Sequence, residues 1–459
     1  MPKSLSGYRT QLETLARKAG LDYFPVDFQV VPNSFMMEVA VYGLPIRMPH
    51  WSFGVRYIYQ LVQHRMGHSR LFEVVFPGNP GRAYLASNNS LEENTLVTAH
   101  VLGHADFSKN NYLFRRSQQQ VGYHIVEQAA SHARGIAEAI EEHGAARVET
   151  TLDAALALEQ HIDVDHPLER PLYSTTMGEK AVPSTEQFHV RFRRLDDGPQ
   201  AGSEPDEKRQ RRAPLPPHPE YDLLWFIANY GPELEDWERD LFLAVRAESF
   251  YFYPVFACQI MNEGWASYWH ARLLREADFL PGDLYLEAIK AHSDVVRPYA
   301  AEEQVALNVN PYHLGFSIWE HLIEERGLEF ARTAMEQDDD FGFIRNYLDE
   351  DLAQSLQLFE YQRKANGEIT VADWEIDRVR EVILAPKFNF GAPTISAREV
   401  HSDGTLVLDH DHQTDGRGLD LPRARKVLEY VHRVWRRPVV LYTTDHSGDE
   451  RILVEPKEA

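Results

Sequence analysis

The chain has 459 residues, 43% hydrophobic and 25% charged, the balance of a soluble globular protein with enough core for two or more domains. Its formal net charge of −23 argues against nucleic acid or an anionic membrane as the main partner. The lone cysteine, Cys258, excludes an intrachain disulfide.

Residues 1–20 predict a short amphipathic helix, with no apolar stretch of the kind a signal peptide carries. Residues 21–50, with Pro25, Pro32, Pro45 and Pro49, predict irregular or extended chain. A helix is expected from Trp51 to about His68. Strands follow at Leu71–Phe76 and Arg82–Ala86, around the turn Pro-Gly-Asn-Pro-Gly. Ser90 reads as the N-cap of the next helix, with Glu93 in the capping-box position. Residues 118–165 are helical in pattern. Periodicity is lost over about 172–220, and Asp196–Pro219 predicts a flexible insertion, its Lys208, Arg209, Arg211 and Arg212 read as solvated linker. Helices resume at Tyr221 and continue to about Lys364. In their apolar surroundings Cys258 is a buried spacer and Trp265, Tyr268 and Trp269 are core or pocket wall. Residues 385–459 alternate strand-like runs with turns around one helix at about Pro422–Trp435. No run approaches the roughly 18 apolar residues of a membrane span, and the cytoplasm is the expected location.

These patterns predict an α+β protein. Residues 1–384 form a mainly helical, zincin-like catalytic-type domain with a small edge sheet and the flexible insertion at 196–219. Residues 385–459 form a small C-terminal α+β domain.

Two motifs carry the chemistry. In Thr-Ala-His-Val-Leu-Gly-His-Ala-Asp-Phe, His100 and His104 stand four residues apart, on one face of a helix, where two imidazoles can share a metal. In Met-Asn-Glu-Gly-Trp-Ala-Ser-Tyr-Trp-His, Glu263 and His270 share a helical face. Asn-Glu-Gly-Trp-Ala resembles the Glu-bearing helix of the gluzincin peptidases, which commonly reads Asn-Glu-Gly-Phe-Ala. That resemblance implies His100, His104 and Glu263 as ligands of a divalent metal, zinc first, with iron or manganese also suited to the donors. Gluzincins carry a Glu general base directly after the first His; here Val101 stands there and cannot take a proton. A base must then come from elsewhere, and the candidates are Asp106, Glu93 and His270.

Other clusters rank lower. His124 with Glu127, and Glu320 with Glu324, lack the paired Glu-x-x-His motifs of a two-metal helical site. Asp409–His412 reads as a polar hairpin end.

The whole chain resembles the SpoVR (stage V sporulation protein R) family. The resemblance rests on Ala-His-Val-Leu-Gly-His-Ala-Asp-Phe-Ser-Lys-Asn-Asn at 99–111 and the Glu263 motif at 261–270. Asn-Pro-Tyr-His-Leu-Gly at 310–315 and Phe-Ile-Arg-Asn-Tyr-Leu-Asp-Glu-Asp-Leu at 343–352 complete it. Ser108 stands where the family usually has Phe. The resemblance implies a link to sporulation and spore cortex formation. It also implies a gene neighbourhood with a PrkA-type serine kinase and a von Willebrand A-like protein, which are the expected partners. Two functions compete: a metal-dependent hydrolase of peptidase or amidase type, and a non-catalytic regulatory scaffold that binds the kinase.

Overall fold

The structure is a computed structural model, and it describes residues 5–44, 47–65, 72–173, 214–296, 310–358, 360–363, 369–373 and 375–456. Most of the predicted insertion, residues 196–213, lies outside them. The protein is mainly helical with small sheets, an α+β architecture as expected. It divides into two compact units.

The first unit comprises residues 1–168 and 236–392. Its three-stranded sheet has the order β1–β3–β2, with β1 at Val26–Val31, β2 at Glu73–Phe76 and β3 at Gly81–Ala86. β1 runs parallel to β3 and β2 antiparallel to it, so β2 is an edge strand. The helix Leu91–Asn110 follows β3 directly. Ser90 Oγ accepts from the Glu93 N–H, and the Glu93 carboxylate accepts from the Ser90 N–H at 2.8 Å, closing the capping box. This helix is buried on nearly every side, which is why its sequence shows no polar face.

The helix Gln259–Glu276 packs against it, and Pro311–Arg326 packs against Gln259–Glu276 in turn. Close approach at both contacts depends on glycine. A Cβ on Gly103 would stand 2.6 Å from Ala266 Cα, and one on Gly264 would stand 2.2 Å from the Gly315 carbonyl carbon. Trp265, Trp269, Trp319 and Phe343 fill the space between these helices, and Cys258 is buried among them.

The start of the Gln259–Glu276 helix has no side-chain cap of its own. Asp340, distant in sequence and fully buried, accepts hydrogen bonds there from the Ile260 and Met261 N–H groups at 3.0 and 2.9 Å. Lys387 Nζ lies 2.8 Å from the same carboxylate and balances its charge. An anion is favoured at a helix N-terminus, and this one fixes where the Glu263 helix begins.

The second unit comprises residues 169–235 and 393–459. Its four strands, β6 at Ile395–Val400, β7 at Leu406–His410, β8 at Val439–Thr444 and β9 at Glu450–Glu455, form a sheet in sequential order. The helix Leu421–Trp435 packs on it, close to the expected span. The boundary predicted at 384/385 thus falls at 392/393. Residues 169–235, assigned to the main domain from sequence, belong with the C-terminal strands. The physical reason is that Glu220 pairs with Ala397 of β6 through both backbone hydrogen bonds, and the apolar helix Leu223–Tyr230 buries its side chains here.

Two local expectations are corrected. The proline-rich stretch 21–50 contains a helix, Asn33–Tyr42, whose Met and Val side chains are buried and carry no charged face to reveal the period. The helical run expected to reach Lys364 stops at Ser355. Gln357 has a positive φ of 55°, and Glu360–Arg363 is a strand, β4, paired with β5 at Ile369–Asp373. Among the described residues no single helix is long and apolar enough to cross a membrane.

Candidate metal centre

His100 and His104 project from the buried Leu91–Asn110 helix, and Glu263 faces them from the Gln259–Glu276 helix. The three side chains converge on one point. The two imidazole Nε2 atoms are 3.0 Å apart, and Glu263 Oε2 lies 3.4 Å from each. Zinc bonds of about 2.0–2.1 Å at tetrahedral angles place ligand atoms about 3.3–3.4 Å apart, so the triangle has the size of a ligand face. Glu263 Oε2 is buried and accepts no hydrogen bond. A buried carboxylate oxygen without a donor is costly unless a cation faces it.

The electrostatics agree with that arrangement. Burial pushes the Glu263 carboxyl up, but the adjacent His104 and His100 imidazoles outweigh it electrostatically and hold the group well below the usual carboxylate range. Burial lowers the His104 pKa, and Glu263 reverses this, so the net shift is upward.

The outer contacts orient the two imidazoles. His104 Nδ1 meets Asn262 Oδ1 at 2.9 Å; an amide oxygen accepts, so Nδ1 carries the proton and Nε2 turns its lone pair inward when the ring is neutral. His100 Nδ1 meets His270 Nδ1 at 2.9 Å, and His270 Nε2 meets His292 Nδ1 at 2.5 Å. Burial and then the neighbouring imidazoles hold His270 well below its ordinary range, and burial chiefly lowers His292 to about 4. Both rings are therefore neutral near pH 7, and His270 can accept the His100 proton.

A pocket opens beside His100. Its wall includes Phe72, Glu73, Glu93, His270 and Tyr312, whose ring stacks over His100 with centroids 6.1 Å apart. His104 and Glu263 are not part of that wall.

The residues proposed from sequence as a base are thus separated. His270 touches the His100 imidazole. Glu93 lies on the pocket wall with one carboxylate oxygen committed to the capping box. Asp106 is turned away: it sits two residues beyond His104, about 200° around the helix. Its Oδ1 accepts from the Asp22 N–H at 2.7 Å and its Oδ2 from the Trp265 indole N–H at 2.9 Å. Asp106 therefore ties the His100–His104 helix to the Glu263 helix, and the base role expected for it is withdrawn.

Sequence reasoning missed Glu73. Its Oε1 lies 3.9 Å from His100 Nε2, and burial, set against the pull of the His100 imidazole, raises its pKa. The one available signal was a charged residue in the otherwise apolar strand Leu-Phe-Glu-Val-Val-Phe. Val101, at the position of the missing base, packs under β3 with Ala83 and Leu85.

His321, Glu325 and Asp349 also cluster, but at the surface, where Asp349 caps the helix Glu350–Ser355. Elsewhere Glu127 pairs with Arg82, and His410 is satisfied by Thr443 at 2.8 Å and Asp415 at 2.9 Å.

Comparison with known proteins agrees with the motifs. The family model described as SpoVR like protein matches residues 1–390. YcgB of Escherichia coli (strain K12), an uncharacterized protein, is 30% identical over 487 residues, which span 98% of this chain and 93% of YcgB. No solved structure matches the chain. With the family model covering most of its length, the chain belongs to the SpoVR-like protein family.

Proposed function

We propose that His100, His104 and Glu263 bind one divalent metal ion, zinc first, and that the centre serves a metal-dependent hydrolase of peptidase or amidase type. The observation that carries this reading is the donor triangle of 3.0, 3.4 and 3.4 Å closed by an oxygen of Glu263 that accepts no hydrogen bond. Two neutral imidazoles and a carboxylate leave a fourth position open, the pattern of catalytic rather than structural zinc. A bound divalent ion would lower the pKa of a water there to about 7 and polarise a carbonyl oxygen. The chain's own residues orient the imidazoles, through Asn262 and His270, and give access from the pocket beside His100. The sequence of strand, short loop and helix, here the central strand β3 running into Leu91–Asn110, supports the zincin-like comparison locally. Family membership adds the expectation of a role in spore cortex or cell-wall formation.

Val101 favours a second reading. It is fully buried in the position where a gluzincin holds its base, as a metal-stabilised scaffold for a PrkA-type kinase would allow.

The test is metal content after purification without added metal, with His104→Ala beside the wild type. One divalent ion per chain in the wild type and none in a folded His104→Ala supports the centre. Equal and negligible metal in both, with no uptake from micromolar zinc, sinks it. If the metal is bound, an amide and peptide hydrolysis screen then separates the hydrolase from the scaffold.

A further inference from the structure

We propose that Glu73 stands over the open position of this centre and holds the molecule bound there, as hydrogen-bond acceptor to a water or to a hydrogen-bond-donating ligand. This rests on the metal reading above. Three observations carry it. Glu73 is paired with Leu85 across β2 and β3, and paired residues share a face, so its side chain lies on the side of the sheet where Leu85 packs against the ligand helix. Its Oε1 is 3.9 Å from His100 Nε2, too far for a tetrahedral neighbour in the metal shell and suited to a group held one contact further out. Glu73 and His100 both form the pocket wall, whereas His104 and Glu263 do not, so a molecule in the pocket stands beside Glu73 and His100 together.

The chain thereby supplies a carboxylate from an edge strand where the peptidase motif takes it from the helix. Position 101 is occupied by packing against β3, and the same sheet returns the acid one strand away. The ligand class is a molecule that brings a proton to the open position: water, or an acid such as a hydroxamic acid.

The experiment uses the full chain loaded with cobalt(II), whose visible spectrum reports the metal shell, and two probes of opposite character. Acetohydroxamic acid brings a hydrogen-bond donor that the Glu73 carboxylate can accept. Azide brings a negative charge and no hydrogen-bond donor. In Glu73→Gln, acetohydroxamic acid should bind about tenfold or more weakly, because a charged acceptor is lost. Azide should bind several-fold more tightly, because a nearby negative charge is gone. The cobalt spectrum should keep its shape. Glu73→Asp keeps the charge but shortens the reach, so it should weaken the hydroxamic acid and leave azide unchanged. Unaltered binding of both probes by a folded Glu73→Gln overturns the proposal. So does an altered cobalt spectrum with collapsed metal affinity, which would make Glu73 a direct ligand. A wild-type chain that takes up no cobalt overturns the centre itself, and this role with it.

Discussion

Replacing Asp106 by Ala separates scaffold from chemistry. The substitution removes the acceptor of three hydrogen bonds, from the Asp22 N–H at 2.7 Å, the Trp265 indole at 2.9 Å and, at the longer distance of 3.4 Å, the Asn110 side-chain amide. The Trp265 side chain is fully buried, so its N–H finds no water; the Asp22 N–H lies nearer the surface. An orphaned buried donor costs about 1–3 kcal/mol, and the second, rehydrated donor costs less, so the total is about 2–4 kcal/mol. Removing the carboxylate also leaves Arg332, 3.9 Å away, without its nearest charge, which acts in the same direction. The assay is thermal unfolding of wild type and variant, with a shift of at most roughly 2–4 °C per kcal/mol, the range for domains of about 150–250 residues, since this unit is larger. Metal content is measured on the same samples. The expected result is a clearly lowered midpoint with one metal per folded chain retained. A variant as stable as wild type refutes the tie between the helices. A folded, stable variant that has lost its metal refutes the assignment of Asp106 to the scaffold.

Three further outcomes follow from the geometry. His270→Ala should weaken metal binding about 10–100-fold without abolishing it, because His100 loses the partner of its Nδ1; an unchanged dissociation constant in a competition titration would contradict this. Gly264→Ala places a methyl 2.2 Å from the Gly315 carbonyl carbon, a backbone atom that cannot rotate aside. It should destabilise by at least the roughly 1–3 kcal/mol of overpacking and disturb the metal site with it, whereas Gly282→Ala, with nothing within 4 Å, should do neither. In the second unit, burial raises the Asp415 pKa, but hydrogen bonds from His410 and Thr394 outweigh it and leave the carboxyl below its ordinary value. A depressed folded pKa stabilises above the unfolded pKa near 4 and is lost as pH falls through the folded value. Wild type should therefore lose stability more steeply than Asp415→Asn below pH about 4; parallel unfolding midpoints between neutral and acid pH would contradict the pairing.

Much of the candidate site was legible in the sequence because it depends on local periodicity. His100 and His104 share a face by the pitch of one helix, Ser90 and Glu93 start that helix by a local cap, and the Glu263 motif carries its own signature. What periodicity cannot supply is the direction of a side chain relative to a distant element. Asp106 belongs to the same motif as His104, yet its phase turns it to Asp22 and Trp265. Glu73 is separated from His100 by a strand, a turn and a helix start, and only the pairing of β2 with β3 brings its carboxylate to the imidazole. Asp340 is nearly 80 residues from the helix whose N-terminus it holds. The second unit shows the same limit. Its strands were readable one by one, but the pairing of Glu220 with Ala397 joins segments far apart in the chain. The sequence alone determined most of the helices, the spacing of His100 and His104 on one face, and the family. The tertiary structure decided which acidic residues face the centre and which hold the scaffold, because long-range pairing and close helix contacts at glycine, rather than local propensity, set those directions.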